Sequence, residues 1–414
     1  MRILAWRHPV HAARPVSALT ARKYAQDEHR SLTLAVPSGT PAVREGMRKG
    51  TKPPAQSAKT PAYRTLAKLA AILAVPLLAF AAPKTKTPVA ITQPGLEMDG
   101  GRRLLFERSF SSERETRTKR GFFTKLIDIV AGEPDFHRLV RPYGVVEDSQ
   151  GRVIVTDPGA FGIHIFDFAR GKYKFLSRRQ AKEPLNSPQC VALDRDGNIY
   201  ATDSAEGKIF IFSAAGKFLR TIGSLRGGEG FFKRPTGIAV DSGAGRIFVT
   251  DTWRNKIYVL DMQGNVLQTI GKTGRGNGEF NFPTELTLMG DDLAVVDAMN
   301  FRVQVLSRAG VFRYAIGQAG DEPGSMFRPK GLGVDSEGHI YVADAFYRLV
   351  QVFDGQGRLL YYFGQKGTAP EPLQMPAGLF VDGRDRIFVA DSYKRRIDVF
   401  QYIGAAKTAT GGVQ

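Results

Sequence analysis

Six aspartates, Asp157, Asp203, Asp251, Asp297, Asp344 and Asp391, stand 46, 48, 46, 47 and 47 residues apart. Each closes an apolar run, as in RVIVTD from Arg152, RIFVTD from Arg246 and HIYVAD from His339. Ahead of each stands a proline: Pro142, Pro188, Pro235, Pro283, Pro329 and Pro376, at intervals of 46, 47, 48, 46 and 47. Two landmarks held in step over six periods mean six copies of one unit, and a unit of this length buries its faces only against its neighbours.

Within one period the pattern reads as four short strands. In the fifth copy these are Gly331–Asp335, His339–Ala345, Leu349–Asp354 and Leu359–Gly364, separated by turn signals such as Ser336-Glu337-Gly338 and Gly355-Gln356-Gly357. Four antiparallel strands per period predict a propeller blade, and six blades close into a ring that exposes only short edges. The expected fold class is therefore all-β, a six-bladed β-propeller over residues 134–403. The last copy stops after its third strand, within Arg395–Ile403, and Arg102–Phe110 has the alternation to supply the fourth and close the ring. Between that strand and the first blade, Phe122, Leu126, Ile127 and Val130 fall at helical spacing, so 102–133 reads as a closing strand plus a short amphipathic helix. Residues 404–414 read as a disordered tail.

The chain carries 58 basic and 40 acidic residues, and thirteen of the basic against three of the acidic lie in residues 1–82. There a basic stretch precedes fourteen uncharged residues, Leu69–Ala82, ending in Ala79-Phe80-Ala81. Basic segment, short apolar segment and small-residue exit predict a signal peptide cleaved near Ala81 or Ala82, and hence a periplasmic or extracellular protein. An uncleaved anchor is the alternative, although fourteen residues fall short of the roughly 20 that span a bilayer. Met47 makes a more ordinary start, so residues 1–46 read as an over-extended frame, and 83–101 as a disordered linker. After cleavage no stable membrane insertion is expected, and the propeller is expected to be a monomer.

The repeated phrases P-x-G, G-h-h-x-D, D-G-x-h-Y-V-A-D and R-h-Q-V-F resemble the NHL repeat of six-bladed propellers, over Arg141–Ile403 in all six copies. With the export signal, the whole is similar to exported bacterial NHL proteins of unassigned function. The wider family implies several activities, among them RNA binding beside RING modules, receptor-kinase sensing and a zinc-dependent amidating lyase, and fold does not choose among them.

A zinc lyase needs converging histidines. Beyond the N-terminal segment only His137, His164 and His339 exist, in different strands and blades. A RING is excluded by the single cysteine, Cys190, which reads as a small buried residue. A metal-dependent hydrolase or lyase with its site at the central channel mouth is the alternative enzyme reading. There P-x-G becomes Pro283-Thr284-Glu285 in blade 4 and Pro188-Gln189-Cys190 in blade 2, so Glu285 and Cys190 are expected to face the channel. One carboxylate does not supply the roughly six to eight oxygens that calcium takes, so no metal or other cofactor is expected.

The preferred reading is a non-catalytic binding or scaffold protein. Loops after the second strands and those leading into each P-x-G emerge on one side. They carry Arg234, Trp253, Arg254, Phe301, Arg302, Lys330, Tyr347, Arg348, Tyr393, Lys394 and Arg395, with Glu285 at the channel. Interleaved aromatic and basic residues stack planar groups and pair with anions. The expected partner is an acidic exported protein, an acidic peptide or an anionic glycan. Nucleic acid is a lesser alternative that export disfavours. The competing reading is that many of these cations pair within their own blades. The six aspartates are expected to serve the fold, bonded to loop amides or to a basic residue four or five positions on: Lys208, Lys256, Arg302, Arg348 and Arg395, with Gly162 breaking the rule in blade 1.

Overall fold

Runs such as Val153–Asp157 and Ile340–Asp344 are buried along their whole length. Strict apolar alternation is absent from them because each lies second in a sheet that is covered on both faces. Outermost strands are covered on one face only and do alternate, as Leu359–Phe363 shows. The computed structural model describes residues 94–98, 101–116, 136–181, 183–228 and 230–404. Within them the chain forms six antiparallel sheets, five of four strands and one of five. Blade 5, for example, runs Pro329–Val334, Ile340–Asp344, Leu349–Phe353 and Leu359–Phe363, within two residues of the sequence reading.

The core is divided among the joints of the ring. One cluster joins Ile154 and Ile165 of blade 1 to Ile199 and Phe210 of blade 2, and another joins Val296 and Val305 of blade 4 to Leu332 and Val342 of blade 5. Corresponding clusters fill the other four joints, including Val145 and Val155 of blade 1 against Phe388 and Val399 of blade 6. Each blade therefore hides its two faces against two neighbours. Threonine ties reinforce three joints: the hydroxyls of Thr156, Thr202 and Thr250 donate to the carbonyls of Gln189, Thr236 and Thr284 in the next blade.

In blade 6, Pro376–Val381, Arg386–Asp391 and Arg396–Ile403 are joined by Arg103–Phe110, whose Leu104 faces Tyr402 and whose Phe110 faces Ile397. Gly95–Glu97, expected in a disordered linker, instead pairs outside Arg103–Phe110 as a fifth strand. The segment predicted as a signal peptide, the helix expected around Phe122–Val130 and residues 405–414 lie outside the described residues.

Candidate functional site

Each aspartate at the end of a second strand accepts hydrogen bonds from the loop leading into its own blade. Asp157 accepts from the Val140 and Arg141 amides, Asp203 from Asn186 and Ser187, and Asp251 from Lys233 and Arg234. Asp297 accepts from Asn281, Asp344 from Phe327 and Arg328, and Asp391 from Gln374 and Met375. Four of the six also accept from amides two or three residues downstream, as Asp344 does from Phe346 and Tyr347. All six carboxylates are fully buried. They lock two loops per blade into one geometry.

The basic residue four or five positions on serves the aspartate in blade 4 alone, where Arg302 pairs with Asp297. In blade 3 that part falls to Arg254, three positions on, 3.2 Å from Asp251. Lys208 pairs with Glu183, and Arg348 reaches Gln374. In blade 1, where Gly162 holds the position, His164 Nε2 lies 3.6 Å from Asp157. Burial raises the Asp157 pKa, but the neighbouring His164 imidazole and the two loop amides outweigh it and hold the carboxyl below its usual range.

This frame imposes a backbone conformation. The fourth residue after each aspartate takes a left-handed φ: Phe161 at 55°, Gly207 at 64°, Asn255 at 52°, Phe301 at 58°, Arg348 at 60° and Arg395 at 57°. Left-handed backbone favours glycine because it crowds a Cβ, yet glycine occupies one position of the six.

On this loop face the residues singled out from sequence fall into two groups. Arg254 is spent internally, on the Phe231 carbonyl, Asp251 and the Tyr258 hydroxyl. Arg302 binds Asp297 and the Gly276 and Glu279 carbonyls, Lys394 pairs with Glu371, and the Tyr347 hydroxyl donates to the Gly320 carbonyl. Trp253 and Tyr393, by contrast, are 58% and 69% exposed, and Arg395 is exposed beside Tyr393. The Arg234 guanidinium lies 5.5 Å from the Trp253 ring. Phe301 joins a ring-to-ring series, 5.9 Å from Phe327, which lies 4.2 Å from Phe346. Trp253 and Tyr393 belong to opposite blades and are not brought together. Sequence reading missed Phe161 and Phe282, and Phe346 is exposed as well. With these, among the described residues, five of the six exposed aromatic side chains lie on the loop face, and only Tyr362 lies on an outer strand.

The first strands line a central cavity of about 360 Å³. At its loop-side end the thiol of Cys190 donates to Glu285 Oε2 at 2.6 Å, joining blades 2 and 4 across the channel. Both side chains are buried. Burial raises the Glu285 carboxyl to about 7, against the pull of the Cys190 thiol and the Leu286 amide. Burial and then the Glu285 charge push the Cys190 thiol well above its ordinary value. Tyr143, at the middle of the blade-1 P-x-G, was not singled out from sequence. Lys330 Nζ approaches its ring to 5.9 Å from blade 5. Burial, Cys190 and Glu285 raise the Tyr143 phenol, while Arg234 and Arg328 oppose them. Among the described residues no three His, Cys, Asp or Glu side chains cluster as metal ligands would.

A family model described as a six-bladed β-propeller matches residues 239–301. Among solved structures, the chain is similar to a gluconolactonase of Xanthomonas campestris, at 15% identity and a TM-score of 0.52 over 76% of this chain and 96% of that one. It is similar to a protein of unknown function from Bacteroides thetaiotaomicron, at 14% identity and a TM-score of 0.52 over 64% and 70%. Virginiamycin B lyase of Staphylococcus aureus is 17% identical, with a TM-score of 0.47 over 65% and 86%. Comparison with curated proteins returns no match. At such identities the likeness is one of fold: the chain is an all-β six-bladed propeller with four antiparallel strands to a blade.

Proposed function

We propose that this chain is an exported binding protein, without catalysis of its own, whose loop face takes an acidic polypeptide. The observation that carries this reading is the gathering, among the described residues, of five of six exposed aromatic side chains on that one face. Single exposed apolar residues are ordinary on a protein surface, whereas a face that collects them marks an interaction site. Aromatic side chains and arginine also dominate the energetics of protein interfaces. Arg395, Lys233 and Arg141 are exposed on the same side and set the preference for acidic partners. Because the aromatics are spread over blades 1, 3, 4, 5 and 6, they suit a partner that spans the ring.

The test is binding of a fluorescein-labelled, Asp/Glu-rich peptide, followed by polarisation, to the wild type and to Trp253→Ala, Phe346→Ala and Tyr393→Ala. Loss of about tenfold or more in affinity in at least one variant supports the reading, as expected of interface anchors. Equal affinity in all three removes the loop face from the binding site. Binding of a sulfated glycan in place of the peptide assigns the face to glycans.

A further inference from the structure

The third residue of each P-x-G forms a collar round the channel: Gly144, Cys190, Gly237, Glu285, Gly331 and Gly378. Four of the six are glycine because neighbouring blades approach too closely there for a side chain. A Cβ at Gly331 would run into the Ala377 carbonyl oxygen, and one at Gly378 into that of Tyr143. Cys190 and Glu285 are therefore the two side chains of the collar, and they meet each other at 2.6 Å.

Both side chains line the central cavity, whose wall is otherwise mostly apolar, with Val191, Ile238, Leu332 and Leu379 among its members. The described residues that line it include two carboxylates, Glu147 and Glu285, and no lysine, arginine or histidine. Glu147 is matched by Arg384 at 2.8 Å and by Arg386. Glu285 has no such match. It is buried, no cation among the described residues pairs with it, and the Cys190 thiol is the one side chain that donates to it. A thiol is a weak and neutral donor, and a buried carboxylate without a positive partner is costly to ionise. The channel thus holds one half of an ion pair beside open, apolar space.

We propose that the channel binds a small primary amine with an aliphatic body, its ammonium on Glu285 and its chain against the apolar wall. This goes beyond the loop-face reading and does not depend on it. Small-molecule sites are typically concavities of roughly 300–1,000 Å³ with apolar walls and a few polar anchors, and the cavity, at about 360 Å³, is of that kind. The ammonium supplies the cation that the fold withholds from Glu285, in surroundings of low dielectric where the attraction is strong. The chain leaves water for the apolar wall. An aliphatic acid of the same length is repelled by Glu285, and an alcohol gains no charge pairing. The titratable groups facing Glu285 are Cys190 and Tyr143, and burial favours the neutral form of both. Arg234 and Arg328, which act on Tyr143, keep their charge throughout the working range. The pH dependence of binding therefore belongs to Glu285.

The experiment titrates the full chain with hexylamine, and with hexanol as its neutral counterpart, followed by NMR at pH 6 and pH 8. At pH 8 hexylamine is expected to bind at least about tenfold more tightly than hexanol, since a charge-assisted contact is stronger than a neutral one. At pH 6 its affinity is expected to fall about tenfold, because Glu285, with its carboxyl at about 7, must first lose a proton. Glu285→Gln is expected to abolish both differences. Glu285→Asp, which keeps the charge, is expected to retain the preference for the amine and its pH dependence. Hexanol bound as tightly as hexylamine, no binding of hexylamine, or an affinity that Glu285→Gln leaves unchanged overturns the proposal. Hexylamine binding and peptide capture by the loop face are separate readouts, so either can fail without the other.

Discussion

Arg302 donates its Nε–H to Asp297 at 2.9 Å, and its Nη2 reaches the Gly276 and Glu279 carbonyls at 2.7 and 3.2 Å. One guanidinium thereby fastens the loop leading into blade 4 to the end of that blade's second strand. With 14% of its side chain exposed, Arg302 serves the blade. Arg302→Ala is expected to lower unfolding free energy by about 2–3 kcal/mol, since it strips a buried carboxylate of a charged partner. Arg395→Ala, on an exposed side chain, is expected to change it by less than about 0.5 kcal/mol. Urea denaturation of the two variants measures the contrast, and equal losses refute it.

The same logic extends to the aspartates themselves. Asp344 accepts from the amides of Phe327, Arg328, Phe346 and Tyr347. Asp344→Asn replaces one acceptor oxygen by a donor facing those amides, so about 2–3 kcal/mol of stability is expected to go. Asp203→Asn is expected to cost as much, because its carboxylate has the same four-amide environment. A thermal or chemical melt in which one of the two is neutral overturns the shared role.

The repeat made blade number and strand order legible, because each blade carries its own proline, aspartate and turns within one period. The common side of the loops was legible for the same reason. The pairing of Arg302 with Asp297 was legible from their spacing, but the carbonyls of Phe231, Gly276 and Glu279 that Arg254 and Arg302 also bind were not, because they lie more than twenty residues back in loops without regular structure. Tyr143 was not legible either. In sequence it is the variable middle residue of a P-x-G, and only closure of the ring brings Lys330 against it. Phe161 was passed over because an aromatic beside a turn usually packs inward. The left-handed φ at the fourth position, seen at Phe161, has no sequence signal when glycine is absent.

Glu285 gives stability a pH dependence of definite sign. Its carboxyl rises from an ordinary 4.5 to about 7 in the fold. Between those values the unfolded side chain has lost the proton that the folded one keeps, so stability falls as pH rises through the window and is level above it. The contribution is roughly 3 kcal/mol at most. Asp398, raised to about 7 by burial against the pull of Arg396, acts in the same direction. His339, raised by its bond to Asp335, also loses its contribution as pH rises. His164, lowered by burial, acts oppositely below its ordinary 6.5. Glu285→Gln removes one of these groups and leaves the rest, so the difference between variant and wild type from pH 5 to pH 7 isolates it. That difference is expected to grow in favour of the variant as pH rises.

Cys190 is expected to be unreactive in the folded protein. Its thiol is buried, donates to Glu285, and is held far from the thiolate form by burial and by that neighbouring charge. Nucleophilic attack needs the thiolate. A colorimetric thiol reagent is expected to find no thiol per native chain and one per chain in denaturant. Rapid native labelling at neutral pH contradicts this account of the mouth.

The left-handed positions offer a test of whether the loop face is held ready for a ligand at a cost to the fold. At Gly207 an added Cβ would sit 2.3 Å from the Phe232 carbonyl oxygen, so glycine is required there by space as well as by φ. Gly207→Ala is expected to destabilise by more than about 1 kcal/mol. Arg395 meets the same φ on an exposed loop, where its Cβ is crowded by its own backbone. Arg395→Gly relieves that crowding, worth about 1–2 kcal/mol, and gives back part of it through the freer unfolded chain. Arg395→Asn keeps most of the relief with less of that loss, since asparagine tolerates the left-handed region. Both are expected to stabilise by roughly 0.5–1 kcal/mol while weakening capture of the acidic peptide. Asn255 and Phe301 take the same φ with side chains engaged inside the molecule, whereas Arg395 presents its side chain outward, where strain can serve recognition. Stabilisation with capture unchanged would instead mean that Arg395 is tolerated at its position without contributing to the ligand.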